Sequence, residues 1–382
     1  MAGVTAGWDA VVVGLGAMGS AALWQLAARG ARAAGVDRFA PPHDRGSSHG
    51  DSRIIRSAYF EDPAYVPLVQ RAFALWRALE AETDESLLVM SGAAMIGAAA
   101  SQVVRGAVRA AEQHGLRYDL LLDAAAAAER LPQHRFGDGD AAMLEPDGGV
   151  LRPERCVAAM LRRAAELGAP VRTGTVVQRV ELRGDGARVH VRGGEVLDAA
   201  HVVVCAGPWT AQVLPELALP LRVERQVTAW FAVDDAAAFA PEAFPVFIRE
   251  LPGGRLVYGI PSLDGATVKL AVHHEGDTVD PDTVSREVTE RDLAPLRDFA
   301  AQWLRGVEPR AVRAVTCLYT DTPDEHFVVD RLPDGAAATL VSACSGHGFK
   351  FAPAVGEAVA GMALGGPVPG GLSPFSLGRF AR

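Results

Sequence analysis

The sequence predicts an α/β (α+β) fold in which a Rossmann-like dinucleotide-binding domain is interleaved with a mixed-sheet domain. Three observations lead to this prediction. The chain has 382 residues, which is too many for one compact core of usual size, so two domains are expected. A short apolar strand followed by a glycine-rich turn stands near the start of the chain. A second apolar strand, residues 200–204, ends in a turn of small residues much further along.

The first predicted element is a strand at residues 9–13, which are apolar and rich in valine, as is typical of a buried parallel strand. A glycine-rich turn follows at once. Residues 17–29 then predict a helix that ends at Gly30, and residues 31–36 predict a second strand that ends at Asp37. The order of strand, glycine turn, helix and strand is that of a dinucleotide-binding unit.

The glycine turn has the sequence Gly14-Leu15-Gly16-Ala17-Met18-Gly19. Gly14 permits the tight turn, Gly16 lets the backbone approach a pyrophosphate, and Gly19 allows close contact between helix and strand. The helix N-terminus offers free N–H groups to the phosphates, and Asp37 can accept hydrogen bonds from ribose hydroxyls. This motif predicts dinucleotide binding because it lies between a strand and a helix, but it does not separate FAD from NAD.

The next segment, residues 41–56, is a loop rich in glycine, serine and proline that leads into Arg53 and Arg56. On a helix, a spacing of three places both arginines on one face. The pair is either a solvated basic edge or part of a loop that delivers cations into a flavin site.

Residues 168–177 predict a turn and a strand, and residues 200–204 predict a buried strand that leads into Ala206-Gly207-Pro208-Trp209. A strand of this kind suits FAD enzymes, in which the chain leaves the cofactor domain and later returns to it. Cys205 is expected to be an ordinary core residue. The alanine-rich stretches 93–100 and 124–128 are interpreted as linkers or helix.

The composition excludes several classes of partner. The 37 basic and 46 acidic residues give a net charge of −9, which favours neither nucleic acid nor an anionic membrane. None of the four cysteines forms a C-x-x-C pair, and no His, Asp or Glu set has metal-ligand spacing, so no metal is predicted. Few cysteines, no basic signal region and no apolar run of about 18 residues predict a cytoplasmic protein.

Five segments together resemble the monomeric sarcosine oxidase and N-methyltryptophan oxidase family of FAD-dependent amine oxidases, over essentially the whole chain. The first, the glycine turn, is generic, whereas the other four are specific in their order and spacing. These four are residues 48–59, Tyr258-Gly259-Ile260-Pro261 with Lys269 and His273, residues 317–327, and residues 345–351.

The resemblance implies a role for each matching residue. Lys269 matches the lysine beside flavin N5 that activates oxygen, and Arg56 and Lys350 match the pair that binds the substrate carboxylate. Cys317 matches the cysteine whose sulfur bonds the flavin 8α-methyl group. The residues implied to line the substrate cavity are Tyr258, His273 and Tyr319.

The resemblance also implies a cofactor-binding set. His49 and Arg53 match residues beside the flavin ring, and residues 346–349 match the loop around its pyrimidine end. The full set is Gly14, Gly16, Ala17, Met18, Gly19, Asp37, Arg38, Ser47, Ser48, His49, Arg53, Val177, Ala206, Gly207, Trp209, Cys317, Gly346, His347, Gly348, Phe349 and Lys350.

Without the resemblance, three of these residues have ordinary interpretations. Cys317 is then a core thiol, Lys269 a strand lysine that faces solvent, and Lys350 a surface lysine. A thioether at Cys317 also requires a nearby positive charge, for which only the resemblance suggests Arg53. Ser57, where relatives often carry histidine, and residues 247–250, which match loosely, leave the substrate side chain open.

The predicted FAD-binding domain comprises residues 1–90, 150–215 and 320–382, and the predicted substrate domain comprises residues 90–150 and 215–320. The expected activity is oxidation of N-methyl or cyclic secondary amino acids by a monomer, with O2 as acceptor and H2O2 as product. The alternatives are an FAD-dependent amino-acid dehydrogenase, an oxidase of primary D-amino acids, and a flavoprotein without enzymatic activity.

Overall fold

The computed structural model describes residues 7–333, 335–368 and 371–380. Within these residues the chain forms nineteen strands and eight α-helices. The strands β1 to β19 are, in order, Trp8–Val13, Ala33–Val36, Arg53–Arg56, Leu88–Met90, Ala93–Ala98, Asp119–Leu121, Asp140–Glu145, Gly148–Leu151, Val171–Arg172, Val177–Arg183, Gly186–Val191, Val196–Val204, Arg222–Val233, Val246–Glu250, Leu256–Ile260, Thr267–His273, Val307–Asp321, Val328–Arg331 and Ala338–Ser342. The helices α1 to α8 are Ala17–Ala28, Val66–Thr83, Gln102–His114, Ala124–Arg130, Pro153–Glu166, Thr210–Val213, Glu290–Trp303 and Ala352–Ala363.

The first sheet has eight strands, with the path β10-β11-β12-β1-β2-β9 and with β19 and β18 joined to β12. Strand β1 is parallel to both neighbours, so the glycine turn lies at the carboxyl end of a central strand. Helices α1, α5 and α8 bury one apolar core with residues such as Leu23, Met160 and Val355. The predicted strand, helix and second strand at the start of the chain are confirmed to within two residues at each end.

The second sheet is mixed and has the order β17-β13-β16-β15-β14-β5-β7-β6. Strands β14 and β5 are parallel, and the other neighbours are antiparallel. Phe231, Phe247 and Phe299 belong to its core on the side of α7. A third, three-stranded sheet has the order β3-β8-β4.

One prediction about local structure is wrong, and one conditional argument does not apply. Residues 53–56 form strand β3, so the helical spacing that would put Arg53 and Arg56 on one face does not apply, and the two side chains point to opposite sides. Residues 93–98, interpreted as linker or helix, form strand β5, because pairing with β14 and β7 buries Ala94 and Ile96 and outweighs the helix propensity of alanine. The stretch 124–128 does lie in helix α4.

The strands of the first sheet come from residues 8–36, 171–204 and 328–342, and those of the second from residues 93–145 and 222–321. The chain therefore passes repeatedly between the two sheets, and the domain boundaries drawn from the sequence stay a prediction. Among the described residues, no helix combines the length and the apolar character that crossing a bilayer requires.

Candidate active site

A cavity of about 420 Å³ is lined by residues of both eight-stranded sheets. At one end it is bounded by the glycine turn, Asp37 and Trp209. At the other end it brings together the catalytic candidates Arg56, Tyr258, His273, Tyr319 and Lys350. Of the cofactor-binding candidates, it collects Gly14, Gly16, Ala17, Met18, Asp37, Arg38, Ser47, Ser48, Arg53, Val177, Ala206, Gly207, Trp209, Cys317, Gly346, His347, Gly348, Phe349 and Lys350.

In the glycine turn, the space beside Gly16 is open, whereas backbone atoms lie where a side chain would stand at Gly14 and Gly19. Gly14 has φ of 87°, and a Cβ there would lie 2.5 Å from the carbonyl oxygen of Cys205. A Cβ on Gly19 would overlap the carbonyl oxygen of Gly14. At Gly16 the nearest atom to a Cβ is Ser48 Oγ, at 3.5 Å. The backbone at Gly16 can thus approach a ligand closely, as a pyrophosphate requires.

Helix α1 starts at Ala17 without a side-chain cap from Gly16. The Ala17 N–H donates to Ser48 Oγ at 3.2 Å, which leaves the N–H groups of the next residues in the first turn available to a ligand. Asp37, at the end of β2, is buried and accepts hydrogen bonds from the N–H groups of Leu15 and Phe39, each at 2.7 Å. A carboxylate has about four acceptor positions. Asp37 can therefore hold the turn in place and still accept hydrogen bonds from a ribose.

Three hydroxyl groups that line the cavity are buried and have no hydrogen-bond partner among the described residues: Ser47 Oγ, Thr228 Oγ1 and Ser342 Oγ. An unpaired buried hydroxyl costs about 1–3 kcal/mol. These groups, the uncapped helix and the open approach at Gly16 fit a long polar ligand that carries phosphates. The residues present thus fit FAD.

Cys317 lies on β17, opposite Gln226 of β13, and is 3% exposed. The Arg53 guanidinium donates to its sulfur from Nη2 at 3.4 Å. Burial alone would raise the pKa of the thiol, but the charge of Arg53 and contact with His49 outweigh it and lower the pKa to about 6. The structure therefore supplies the positive charge that a reactive thiolate needs at this position.

Lys269, on β16, is 2% exposed, so the interpretation of a solvent-facing lysine is wrong. Its ammonium group donates to the carbonyl oxygens of Gly50 at 2.7 Å and Ser52 at 3.0 Å. Burial, and secondarily the charge of Arg53, holds the pKa of Lys269 well below its usual range. The side chain lines a second cavity of about 400 Å³, which it shares with Trp230 among others.

The surface interpretation of Lys350 is also wrong, since this residue is 5% exposed. Its Nζ donates to the His347 carbonyl oxygen at 2.7 Å and to the Tyr59 hydroxyl at 3.2 Å. Burial, and then the charge of Arg56, lowers the pKa of Lys350 well below its usual range. An ammonium group has three N–H donors, so one is left for a ligand.

The guanidinium of Arg56 is 2% exposed and already has an acid partner. Its Nη2 donates to both carboxylate oxygens of Glu61 at 2.6 Å, and its Nη1 donates to the carbonyl oxygen of Ala58 at 2.9 Å. The buried Nε has no partner among the described residues. Two cations, Arg56 and Lys350, thus meet one carboxylate at this end of the cavity.

The remaining wall consists of aromatic rings. The Tyr319 hydroxyl lies 3.4 Å from His273 Nδ1, and the ring centroids of Tyr258 and His273 are 6.3 Å apart. Burial lowers the pKa of His273 well below its usual value, so its imidazole is neutral at pH 7. Gly346 approaches both His273 and Tyr319 closely, since a Cβ there would lie 2.7 and 2.6 Å from their rings.

Three candidates from the sequence do not line the large cavity: Gly19, His49 and Lys269. Sequence reasoning missed Glu61 and Thr228, which do line it. Glu61 follows Arg56 by five residues, and an acid so close to a proposed carboxylate-binding arginine was a usable signal. Thr228 lies on β13 two residues beyond Gln226, and only the strand register brings it to the cavity.

Comparison with known proteins places the chain among flavoproteins. The family model described as FAD dependent oxidoreductase matches residues 9–362. Monomeric sarcosine oxidase of Streptomyces avermitilis is 40% identical over 378 residues, which is 98% of each chain. N-methyl-L-tryptophan oxidase of Salmonella newport is 34% identical over 380 residues, or 98% of this chain and all of the relative.

Among solved structures, the fold matches that of NikD, described as an unusual amino acid oxidase essential for nikkomycin biosynthesis. The TM-score is 0.84 with 26% identity, over 97% of this chain and 98% of NikD. The similarity therefore extends over both sheets and the cavity.

Proposed function

The chain belongs to the family of FAD-dependent oxidoreductases, and we propose that it oxidises N-methyl or cyclic secondary amino acids with O2 as the electron acceptor. The observation that carries this proposal is the pair of buried cations, Arg56 and Lys350, at one end of a cavity that fits FAD at the other. FAD, when bound, supplies the hydride acceptor and the route by which electrons reach oxygen.

The two cations orient the substrate. Arg56 Nε and one N–H of Lys350 are open donors, and a substrate carboxylate between them forms charge-assisted hydrogen bonds. Fixing the carboxylate aligns the rest of the amino acid in the cavity, and such alignment can contribute several kcal/mol to catalysis. A simple amine lacks a carboxylate, so it would leave both cations without a substrate anion.

The aromatic wall would contact the amine of the substrate. Because burial keeps His273 neutral, its imidazole can hydrogen-bond the substrate amine, and its surroundings disfavour a further positive charge at this end of the cavity. Tyr258 and Tyr319 complete an apolar surface around the N-substituent. The imine formed by oxidation then hydrolyses in water.

Peroxide production tests the proposed function against its alternatives. We expect O2-dependent H2O2 release with sarcosine, N-methyltryptophan, pipecolate or proline, and much less with the matching methylamines that lack a carboxylate. Turnover only with an artificial acceptor would indicate a dehydrogenase, and a preference for glycine or D-alanine would indicate an oxidase of primary amines. A flavin-containing chain that oxidises none of these compounds would contradict the proposal.

We also propose that Cys317 attaches FAD covalently through its sulfur. The lowered pKa of the thiol and its contact with Arg53 support this, since the thiolate is the reactive form. Flavin colour should remain with acid-precipitated wild-type protein and pass to the supernatant for Cys317→Ser. Cys344→Ser is the matched control, because burial raises the pKa of Cys344 to about 11. Release of flavin from the wild type would contradict the attachment.

Lys269 is proposed to promote the reaction with oxygen. Its buried ammonium can stabilise the negative charge that develops on O2, and it reaches a second cavity separate from the substrate end. We expect Lys269→Met to slow reoxidation by roughly tenfold to a thousandfold, and reduction by substrate far less. Arg313→Met is the control, since Arg313 contacts the same Trp230 ring but is half exposed. Equal slowing of both half-reactions in stopped-flow experiments would contradict this role.

The oligomeric state and the cellular compartment are two further proposals, based on the family resemblance. We propose that the protein acts as a monomer in the cytoplasm on a small amino acid and O2. All four cysteines are free, which agrees with a reducing compartment. Light scattering of the purified chain would test the oligomeric state.

A further inference from the structure

Outside the proposed active site, the structure brings together Glu224, His274 and Asp321. Glu224 lies on β13, His274 directly follows β16, and Asp321 is the last residue of β17. These strands are neighbours in the order β17-β13-β16, so residues about 50 and 100 positions apart in the chain meet at one edge of the sheet. One potential ligand atom from each residue lies within 4.8 Å of the others.

The two carboxylates are buried and face each other across a strand pair. Glu224 is 1% exposed and Asp321 is 2% exposed. Arg222 is the residue directly opposite Asp321, so Glu224 lies diagonal to it on the same face. Like charges so placed destabilise a sheet unless a cation neutralises them.

The protein groups around the cluster provide hydrogen-bond donors to Glu224 but not to Asp321. Glu224 accepts hydrogen bonds from Arg222 at 2.8 Å, from the backbone N–H groups of Glu275 and Gly276 at 3.0 and 2.7 Å, and from the side-chain amide of Gln226. Both carboxylate oxygens of Asp321 and the Nδ1 of His274 are buried without a partner among the described residues. Arg222 approaches Asp321 only to 3.7 Å and is itself half exposed.

We propose that Glu224, His274 and Asp321 bind one divalent metal ion of the zinc type. Carboxylate oxygen and imidazole nitrogen are both ligands of Zn²⁺, which binds them at about 2.0–2.2 Å. Two ligands of one such ion lie no more than about 4.4 Å apart, so small side-chain rotations suffice to close the site. The hydrogen bonds to Glu224 would orient that ligand from outside the coordination sphere.

The location of the ion indicates what it would do. His274 follows His273, Glu224 lies directly opposite Tyr319, and Asp321 lies two residues beyond Tyr319, so the ion would join three strands directly beside the aromatic wall of the substrate cavity. Because Zn²⁺ is redox-inactive, the ion would stabilise this wall and take no part in flavin chemistry. The inference therefore does not depend on the proposed substrate.

A shared proton is the alternative way to relieve the two carboxylates. Burial, and then the charge of Glu224, raises the pKa of Asp321 to about 7. A carboxyl group whose pKa is raised in the folded state favours folding at low pH and loses that contribution as the pH rises through about 7. The two explanations thus predict different responses to metal and to pH.

The test uses untagged, chelator-treated holoenzyme with ZnCl2 at pH 7.5. Equilibrium dialysis with elemental analysis should show one more equivalent of Zn²⁺ in the wild type than in Asp321→Asn or His274→Asn, whose affinity should fall at least about tenfold. Asparagine suits position 274 because φ there is 51°. Asp277→Asn is the matched control, since this carboxylate lies near the same sheet edge but its side chain is 72% exposed.

Thermal unfolding provides the second measurement. ZnCl2 should raise Tm by roughly a few degrees in the wild type and Asp277→Asn, but not in Asp321→Asn. MgCl2 at the same concentration should have no such effect, because Mg²⁺ prefers oxygen ligands. Equal zinc binding by wild type and Asp321→Asn would overturn the proposal, as would an equal response to Mg²⁺. A wild-type Tm that is higher at pH 6 than at pH 8, and that does not change when ZnCl2 is added, would establish the shared proton instead.

Discussion

At the scale of single residues, the substrate end of the cavity is defined by an imbalance of charge. Arg56 and Lys350 are both buried, and Glu61 is the only carboxylate bonded to either of them among the described residues. Burial, and then the charge of Arg56, lowers the pKa of Lys350, so a positive charge on Lys350 becomes more favourable when a further anion binds beside it. A bound carboxylate would restore that balance, so we expect an amino acid to bind better than an amine.

In the proposed function, Glu61 would compete with the substrate carboxylate for Arg56. We therefore expect Glu61→Gln to lower KM for N-methyl amino acids by about threefold to tenfold, because a charged hydrogen-bond acceptor is removed from the guanidinium. Steady-state kinetics would check this, with Glu112→Gln at an exposed site as the control. A rise in KM would show that Glu61 holds Arg56 in its binding position instead.

The acidity of Cys317 can be measured in flavin-free protein, where the thiol faces an open cavity. Alkylation by iodoacetamide needs the thiolate, so its rate should rise with pH and reach half its maximum near pH 6, at the lowered pKa of this thiol. In Arg53→Met the loss of the positive charge should move this midpoint upward by at least about one pH unit. An unchanged midpoint would exclude Arg53 as the group that lowers the pKa.

At the scale of elements, short segments between strands place the catalytic candidates. Gly346 has φ of 74° and lies four residues after β19, in the loop that leads to Lys350 and close to the rings of Tyr319 and His273. The glycine is needed both for its left-handed conformation and for the absence of a side chain. This loop thus fixes how closely the substrate wall on β16 and β17 approaches Lys350.

Replacing Gly346 by alanine should separate these two contributions. Gly346→Ala is expected to lower the free energy of unfolding by about 1–3 kcal/mol more than Gly265→Ala, and also to raise KM. Gly265 is the matched control because its φ is 73° and a Cβ there meets no atom within 4 Å. Urea denaturation and kinetics measure the two effects. Equal destabilisation by the two substitutions would show that the rings move aside freely.

At the scale of the whole molecule, the sequence predicts what is local and misses what depends on distant pairing. The first strand, helix and second strand follow from residues adjacent in the chain, and the resemblance locates Cys317, Lys269 and Lys350. Residues 93–98 form a strand only because β14 and β7 lie on either side. The Arg56–Glu61 pair and the cluster of Glu224, His274 and Asp321 likewise depend on contacts that spacing alone does not show.

The cavity lies where the two eight-stranded sheets meet, so FAD would join parts of the fold that the chain itself connects by repeated crossings. A ligand that binds only the folded state stabilises it by mass action, by about 1.4 kcal/mol for each tenfold rise in free ligand once binding saturates. If Cys317 attaches FAD covalently, added FAD cannot change the occupancy of the wild type.

We therefore expect the Tm of wild-type holoenzyme to be independent of added FAD. The Tm of Cys317→Ser should rise with FAD concentration, because the same contacts then form reversibly. Cys344→Ser, which retains Cys317, should behave like the wild type. Calorimetry over a range of FAD concentrations would measure these shifts. A wild-type Tm that rises with added FAD would mean that part of the chain holds its cofactor reversibly. No response in Cys317→Ser would mean that this variant no longer binds FAD, and that Cys317 is needed for binding as well as for attachment.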